Sequence, residues 1–357
     1  MSAGLTSTPA STPAPSPAVD RVVRDRVRRG ARRRVVIALL AVGVVVAFAL
    51  TLMVGRTFYP PGDVLRVVLG EEVQGASFTV GRLRLPRAVL AVVAGLSFGL
   101  AGVTFQTMLR NPLASPDVIG ISSGASAAAA VSIVVLGWSG TTVSVTAIAA
   151  ALGVSGLIYA LAFRNGVAGT RLILIGIGVE AMARSVTSYV LSKAGTWEYA
   201  EALRWLTGSL NGTTWEATLP ALLALVVLGP VLLTQTRDLA ALQLGDDTAA
   251  ALGVRVERTR VVAIVAAVGL IAFATAACGP IAFVAFLAGP IAARVVGPYG
   301  SLLVPAALVG ALLVLVADLV GQLALGTRFP VGVVTGVLGA PYLVHLIVRS
   351  SRAGGSL

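Results

Sequence analysis

The hydrophobic positions of this chain are gathered in long apolar stretches separated by short polar segments. About 20 apolar residues are enough for a helix to cross the roughly 30 Å hydrocarbon layer of a membrane. A segment alone in lipid must satisfy its own backbone polar groups, and a helix does so. The pattern therefore predicts an all-α, polytopic membrane protein with about ten transmembrane helices. We place these at 35–54, 88–109, 117–136, 141–163, 171–192, 216–235, 260–277, 280–296, 302–323 and 332–349.

Composition and charge agree with a membrane protein and argue against a nucleic-acid partner. Hydrophobic residues make up 57% of the chain and charged residues 12%, against about 25% charged residues in soluble proteins. The net charge of +12 arises in part from eight of the 27 basic residues, which lie between Arg21 and Arg34, beside the first apolar stretch. Basic residues in that position are typical of the cytoplasmic side of a membrane.

The first 34 residues are rich in Ser, Thr and Pro and then in Arg. Such a segment lacks the hydrophobicity to fold alone, so we predict a disordered cytoplasmic tail over 1–34 and a transmembrane domain over 35–351. A signal peptide is the alternative interpretation. Its apolar region would be only about 7–15 residues long, and no Ala-x-Ala cleavage site follows the apolar stretch 35–54.

The loops predict an orientation with both termini in the cytoplasm. Arginines in 110–116, 164–171, 236–259 and the C-terminal segment then follow the positive-inside rule. The external segment 56–87 breaks the rule, because it carries Arg56, Arg66, Arg82, Arg84 and Arg87. The exception suggests recognition, although arginines also anchor helices at a membrane surface, where their heads reach water.

The cytoplasmic segment 237–260 is too polar to span a membrane. Its core, 239–253, has the apolar spacing of a short amphipathic helix. Asp246 and Asp247 follow Gly245, and acids are favoured at a helix start, whereas Gly253 suits a helix end. A solvated connector helix is the simpler interpretation of this pattern.

Few residues offer chemistry. Glu180 and Arg184 stand one turn apart within a span, where ionisable groups are costly and are functional candidates; an ion pair that only neutralises itself is the alternative. Asp318 is interpreted as a structural acid. No phosphate-binding Gly-x-x-x-x-Gly-Lys-Ser/Thr motif occurs, and no cluster of His, Cys or acids predicts catalysis or a metal site. The single cysteine, Cys278, excludes an internal disulfide.

One stretch carries several uncommon motifs in order. Residues 82–126 contain Arg-Leu-Pro-Arg, a Gly/Ala-rich helix, Asn-Pro-Leu-Ala and Gly-Ile-Ser-Ser-Gly-Ala, and read RLRLPRAVLAVVAGLSFGLAGVTFQTMLRNPLASPDVIGISSGAS. This stretch, with 279–284 and 329–341, resembles the FecCD-type permeases of bacterial ABC importers. The resemblance covers about 50–350 and implies a type II importer fold.

The resemblance also implies site residues. The family's ATPase-coupling helix corresponds to Leu244, Gly245, Asp246, Ala249, Leu252 and Gly253. The arginines that meet carboxylates of an extracytoplasmic binding protein correspond to Arg84 and Arg87. A further basic residue is expected before the last span, where Gln322 stands and Arg328 follows. The family's Pro-His near Gly289-Pro290 is missing here.

The function implied is that of the membrane subunit of an importer in the bacterial cytoplasmic membrane. Such a subunit works as a homodimer or beside a similar permease, with two ATPase subunits that use ATP and a substrate-binding protein outside. It needs no cofactor of its own. An iron–siderophore complex is the expected cargo, and cobalamin or haem are alternatives. An ion-coupled secondary transporter is the alternative of another class, since broken helices and charges such as Glu180 would suit it.

Overall fold

A computed structural model describes residues 17–116, 120–162, 169–297, 300–324 and 327–352. Within these residues one apolar helix corresponds to each predicted span. Seven of the helices are long and apolar enough to cross a membrane, and three are shorter. The ten helices are α1 (Pro17–Met53), α3 (Leu85–Met108), α4 (Ile121–Val134), α5 (Thr141–Ala162), α6 (Gly169–Ser192), α8 (Trp215–Thr234), α11 (Val256–Cys278), α12 (Val284–Val296), α13 (Leu303–Leu323) and α14 (Val331–Arg352).

Five shorter helical segments connect them: α2 (Pro61–Val68), a π-helix (Ser77–Arg84), α7 (Thr196–Leu206), α9 (Thr236–Leu242) and α10 (Asp246–Ala251). The described residues contain no strand, which confirms the all-α prediction. The π-helix runs directly into α3, so the second span begins near Ser77, well before the predicted start at 88. Pro86 lacks a backbone N–H, so a wider turn before it is expected.

The basic N-terminal segment differs from its prediction. Helix α1 begins at Pro17, where the sequence predicted a disordered tail over 1–34; residues 1–16 of that tail lie outside the described residues. Arginine has a high helix propensity, and Asp25 precedes Arg29 by one turn, a spacing that supports a helix. The helix therefore continues from the apolar span into the basic segment without a break.

Helices α4 and α12 have 14 and 13 residues, or about 20 Å at 1.5 Å per residue. Each is shorter than predicted: Gly120 before α4 and residues 279–283 before α12 are not helical, and 117–119 lie outside the described residues. Before α4, the turn at Gly120 lies against the backbone of Glu180 in the middle of α6. Before α12, both Gly279 and Phe283 have positive φ angles. Non-helical backbone at membrane depth must be enclosed by protein or face a water-filled cavity.

Pro290 lies inside α12 and does not interrupt it. A proline removes the hydrogen bond to the carbonyl four residues before it, which here belongs to Phe286. The amide of the buried Gln106 donates to that carbonyl at 2.9 Å. Any side chain at Gly289 would overlap Gln106. Gly289 therefore leaves space for the side chain of Gln106, and Pro290 leaves the carbonyl of Phe286 free to accept its hydrogen bond.

Helix α3 is the centre of the bundle. It packs against α8, α11, α12 and α13, and 83% of its most apolar stretch is buried. Side chains at Gly95 and Gly99 would overlap the backbone of α13, and one at Gly102 would overlap the carbonyl of Ala285 in α12. Small residues allow such close packing between membrane helices. Glycine is thus required on two faces of α3.

We expect Gly102→Ala to destabilise the protein by about 1–3 kcal/mol, as over-packing of a tight contact usually does. Gly156→Ala in α5 is the matched control, because a Cβ at Gly156 meets nothing within 4 Å. The measurement is the thermal unfolding midpoint of the detergent-purified protein. Equal midpoints for the two variants would contradict the close packing of α3 on α12.

Candidate functional site

A cavity of about 730 Å³ lies beside α4, α6 and α12. Both non-helical segments contribute to its wall, as do a row of serines on α4 and the charged pair on α6. The lining includes Leu113, Ser115, Ser122, Ser126, Glu180, Arg184, Phe283 and Phe286. Among the seven long helices of the described ranges, α6 is the least covered, with 17% of its apolar stretch buried. The cavity thus lies beside a helix whose outer face is open.

The ion pair between Glu180 and Arg184 lies in this cavity wall. The side chain of Arg184 is 75% exposed, whereas that of Glu180 is 21% exposed. The carboxylate therefore lies against the protein and holds a guanidinium that is open to the cavity.

At the end of the bundle predicted to be outside, Arg87 pairs with an acid of the same chain. Its Nε and Nη2 donate to the two carboxylate oxygens of Asp318 at 2.9 and 2.7 Å, and Nη1 donates to Asn211 at 2.8 Å. Gln322 also donates to Asp318, at 2.7 Å. The side chains of Arg87 and Asp318 are 11% and 1% exposed. Asp318 is therefore a structural acid, and its partner is the arginine that was expected to meet a binding protein.

Arg84 is also engaged within the chain. It donates to the carbonyls of Leu52, Met53 and Thr57 at 2.7–2.9 Å and stacks on the ring of Tyr59. These contacts cap the carboxyl end of α1. Arg328 is different, because it lies exposed in the short segment before α14, at the same end of the bundle. The structure thus separates the three arginines that the sequence had grouped.

At the opposite end, the predicted coupling helix 239–253 is two helices, α9 and α10. Gly245, with a φ of 111°, turns the chain between them. Leu242 and Ala249 are buried against the bundle, whereas Leu244 and Leu252 are each 64% exposed. Asp246 and Asp247 begin α10, and Gly253, with a positive φ, follows its end, as predicted. One face of the segment thus packs against the bundle, and the other face exposes two leucines.

Asp246 is held between two arginines. Arg260 of α11 donates to both of its carboxylate oxygens at 2.9 and 2.8 Å, and Arg110 forms an ion pair with it.

Sequence reasoning missed Arg110 and Asn211. The only signal was an arginine beside Asn111-Pro112, since nothing in the sequence indicates a contact between residues 136 positions apart. Among the described residues, no three His, Cys, Asp or Glu side chains come together as metal ligands.

A helical bundle with two non-helical segments around a cavity is the architecture of a membrane transporter. The model of the FecCD transport family matches residues 43–349, and the chain belongs to that family.

Individual relatives agree with the family. The chain is 40% identical over 326 residues to the ferric enterobactin transport system permease protein FepG of Escherichia coli, a match covering 90% of this chain and 98% of the relative. It is 36% identical over 279 residues to the cobalamin import system permease protein BtuC of Halobacterium salinarum, covering 76% and 74%. A solved structure described as an inward-facing conformation of a putative metal-chelate type ABC transporter matches with a TM-score of 0.79 and 26% identity, covering 88% and 98%.

We expect Arg87→Ala to lower the thermal unfolding midpoint strongly, because it leaves Asp318 buried without its cation. Removal of one partner of a buried ion pair costs about 3–5 kcal/mol. Arg87→Ala combined with Asp318→Ala should recover much of the loss. Arg82→Ala, at an exposed arginine of the adjoining π-helix, is the control. If Arg87→Ala unfolds at the same temperature as Arg82→Ala, the pair is not structural.

Proposed function

We propose that this chain is the membrane subunit of an ABC importer that carries a ferric siderophore into the cytoplasm. The observation that carries the proposal is the segment α9–α10, a polar helical hairpin anchored at one end of the bundle that exposes Leu244 and Leu252. We take these two leucines, held on an anchored polar hairpin, as the contact surface for a partner protein. A partner that binds there can apply force to the bundle.

The partner is an ATPase, because the chain itself lacks a phosphate-binding loop. Two copies would dock on the cytoplasmic side, where the basic part of α1 and both termini are also placed by the positive-inside rule. The opposite end faces an extracytoplasmic binding protein. On that surface Arg328 remains exposed, and it is the strongest of the three arginines as a docking contact.

A second permease completes the cavity. The open face of α6 borders the cavity that holds Glu180 and Arg184. A pathway in a membrane needs a wall on every side, since lipid cannot satisfy polar groups. A copy of this chain, or a similar one, placed across a two-fold axis would supply the missing wall.

The cargo assignment rests on charge. The names of the relatives include both ferric siderophore and cobalamin systems. Arg184 presents a cation to the cavity, which favours an anionic iron chelate over cobalamin. Haem, with its two propionates, is the second candidate on the same ground. A secondary transporter is disfavoured, because ion coupling has no use for the anchored hairpin α9–α10.

Transport itself is the first test. We expect that Leu244→Asp with Leu252→Asp abolishes co-purification with the partner ATPase and ATP-driven uptake, because charges replace the exposed apolar contact. Membrane insertion should be unchanged. The control variant, Leu65→Asp with Leu69→Asp, makes the same change at two exposed leucines in the segment around α2, at the opposite end of the bundle. Retention of the ATPase by the first variant, at the level of this control, would contradict the coupling assignment.

Arg184 tests the cargo. Arg184→Ala should cut uptake of an anionic ferric chelate by about tenfold or more, as expected for loss of one hydrogen bond to a charged group. Stability should change by less than about 0.5 kcal/mol, since the residue is exposed. Arg184→Lys keeps the charge and should keep most of the uptake. Full uptake by Glu180→Ala with Arg184→Ala would show that the pair has no role in the pathway.

A further inference from the structure

Arg110 joins both helices of the α9–α10 hairpin to the end of α3. Its Nε donates to the carbonyl of Leu242 in α9 at 2.8 Å, and its guanidinium pairs with Asp246 at the start of α10. One planar group therefore holds the hairpin at two points on either side of the turn at Gly245. Lysine could not replace it, because an ammonium group is a single point charge without a fixed fork of donors.

The backbone at Arg110 begins a stiff turn that leads to the cavity. Arg110 has a φ of 51°, in the left-handed region that non-glycine residues rarely adopt. The N–H of Asn111 donates to the carbonyl of Gln106 at 3.1 Å, and the side chain of Asn111 accepts from the N–H of Leu113 at 2.8 Å. Leu113 and Ser115 then line the cavity. Only two residues, Asn111 and Pro112, thus separate the arginine from the cavity wall.

A second connection runs through the same turn. The backbone carbonyl of Gln106 accepts the hydrogen bond from the N–H of Asn111, and the side-chain amide of Gln106 donates to the carbonyl of Phe286. Phe286 is also a cavity residue. A movement of the turn would therefore shift the cavity wall at two places, at Leu113 and at Phe286 near the start of α12.

We propose that Arg110 is a positioning residue that makes the hairpin α9–α10 and the turn 110–115 move as one body. The inference rests on the proposed function, since it assigns the link between an ATPase outside the membrane and the cavity within it. When the ATPase displaces the hairpin, Asp246 and Leu242 pull the guanidinium, and the turn moves Leu113 and Ser115. Asp246 is held on its other side by Arg260, so the displacement also reaches α11.

The experiment measures how many cargo molecules enter proteoliposomes for each ATP hydrolysed by the full complex. Arg110→Gln should lower this ratio by about tenfold, equivalent to about 1.4 kcal/mol, while the ATPase still co-purifies. Arg258→Gln is the matched control, because Arg258 is exposed on the first turn of α11 and its loss changes the net charge equally. The effects of Arg110→Gln and Asp246→Asn should combine to less than their product in the double variant, since both changes break the contact between Arg110 and Asp246.

A second readout covers the case in which Arg110→Gln assembles poorly. A fluorophore on Leu113→Cys reports the turn directly, and the native Cys278 is buried. Its signal should change when the otherwise unmodified complex binds ATP, and the change should be smaller in the Asp246→Asn background, where only the contact with Leu242 remains.

Three outcomes would overturn the inference: a ratio for Arg110→Gln equal to that of Arg258→Gln, multiplicative effects in the double variant, or an unchanged fluorescence response with Asp246→Asn. Failure of the proposed function would look different. In that case the unmodified complex would itself show no cargo uptake linked to ATP hydrolysis.

Discussion

The glycine faces of α3 are the constraint on which the rest of the structure depends. In lipid, apolar surface gains nothing by leaving water, so helices associate through close packing. Gly99 and Gly102 bring the α3 backbone against α13 and α12, and the other helices are arranged around this core. The same helix carries Arg87 in its first turn and Arg110 just past its last. The two polar networks at opposite ends of the bundle, about 35 Å apart, are therefore joined by one rigid element.

The interrupted segments require compensation, and the structure supplies it locally. Each non-helical residue at membrane depth leaves backbone groups that must find partners in protein or water. The amide of Gln106 replaces the hydrogen bond that Pro290 removes, and Gly120 turns in a left-handed conformation against α6. Leu113, Ser115 and Phe283, which lie in these segments, line the cavity. The interruptions thus shape part of the cavity wall.

The fold was largely predictable from the sequence, whereas the site was predictable only in part. Hydropathy located all ten apolar helices, because a membrane imposes one length and one composition on each. Local rules also placed Asp246 at a helix start and Gly253 after a helix end. Gly245 was a signal for the break between α9 and α10 that the periodicity argument overlooked. The pairing of Arg87 with Asp318 could not be found in this way, since it joins residues 231 positions apart. The family resemblance assigned Arg87 to a partner protein, and the charge pattern of the external segment agreed, because neither contains information on an acid buried in another helix.

The open face beside the cavity has a consequence for how cargo preference can change. In a chamber enclosed by two chains, each chain supplies one half of the lining. In a symmetric pair, every substitution in α6 appears twice, so a charge such as that of Arg184 is doubled across the axis. In a mixed pair it appears once, opposite a wall that is encoded separately. A shift in selectivity would then need mutations in one gene only. The other chain would keep its packed helices and its contacts with the ATPase unchanged. Duplication of such a gene would create the freedom to drift toward new chelates without loss of the old assembly.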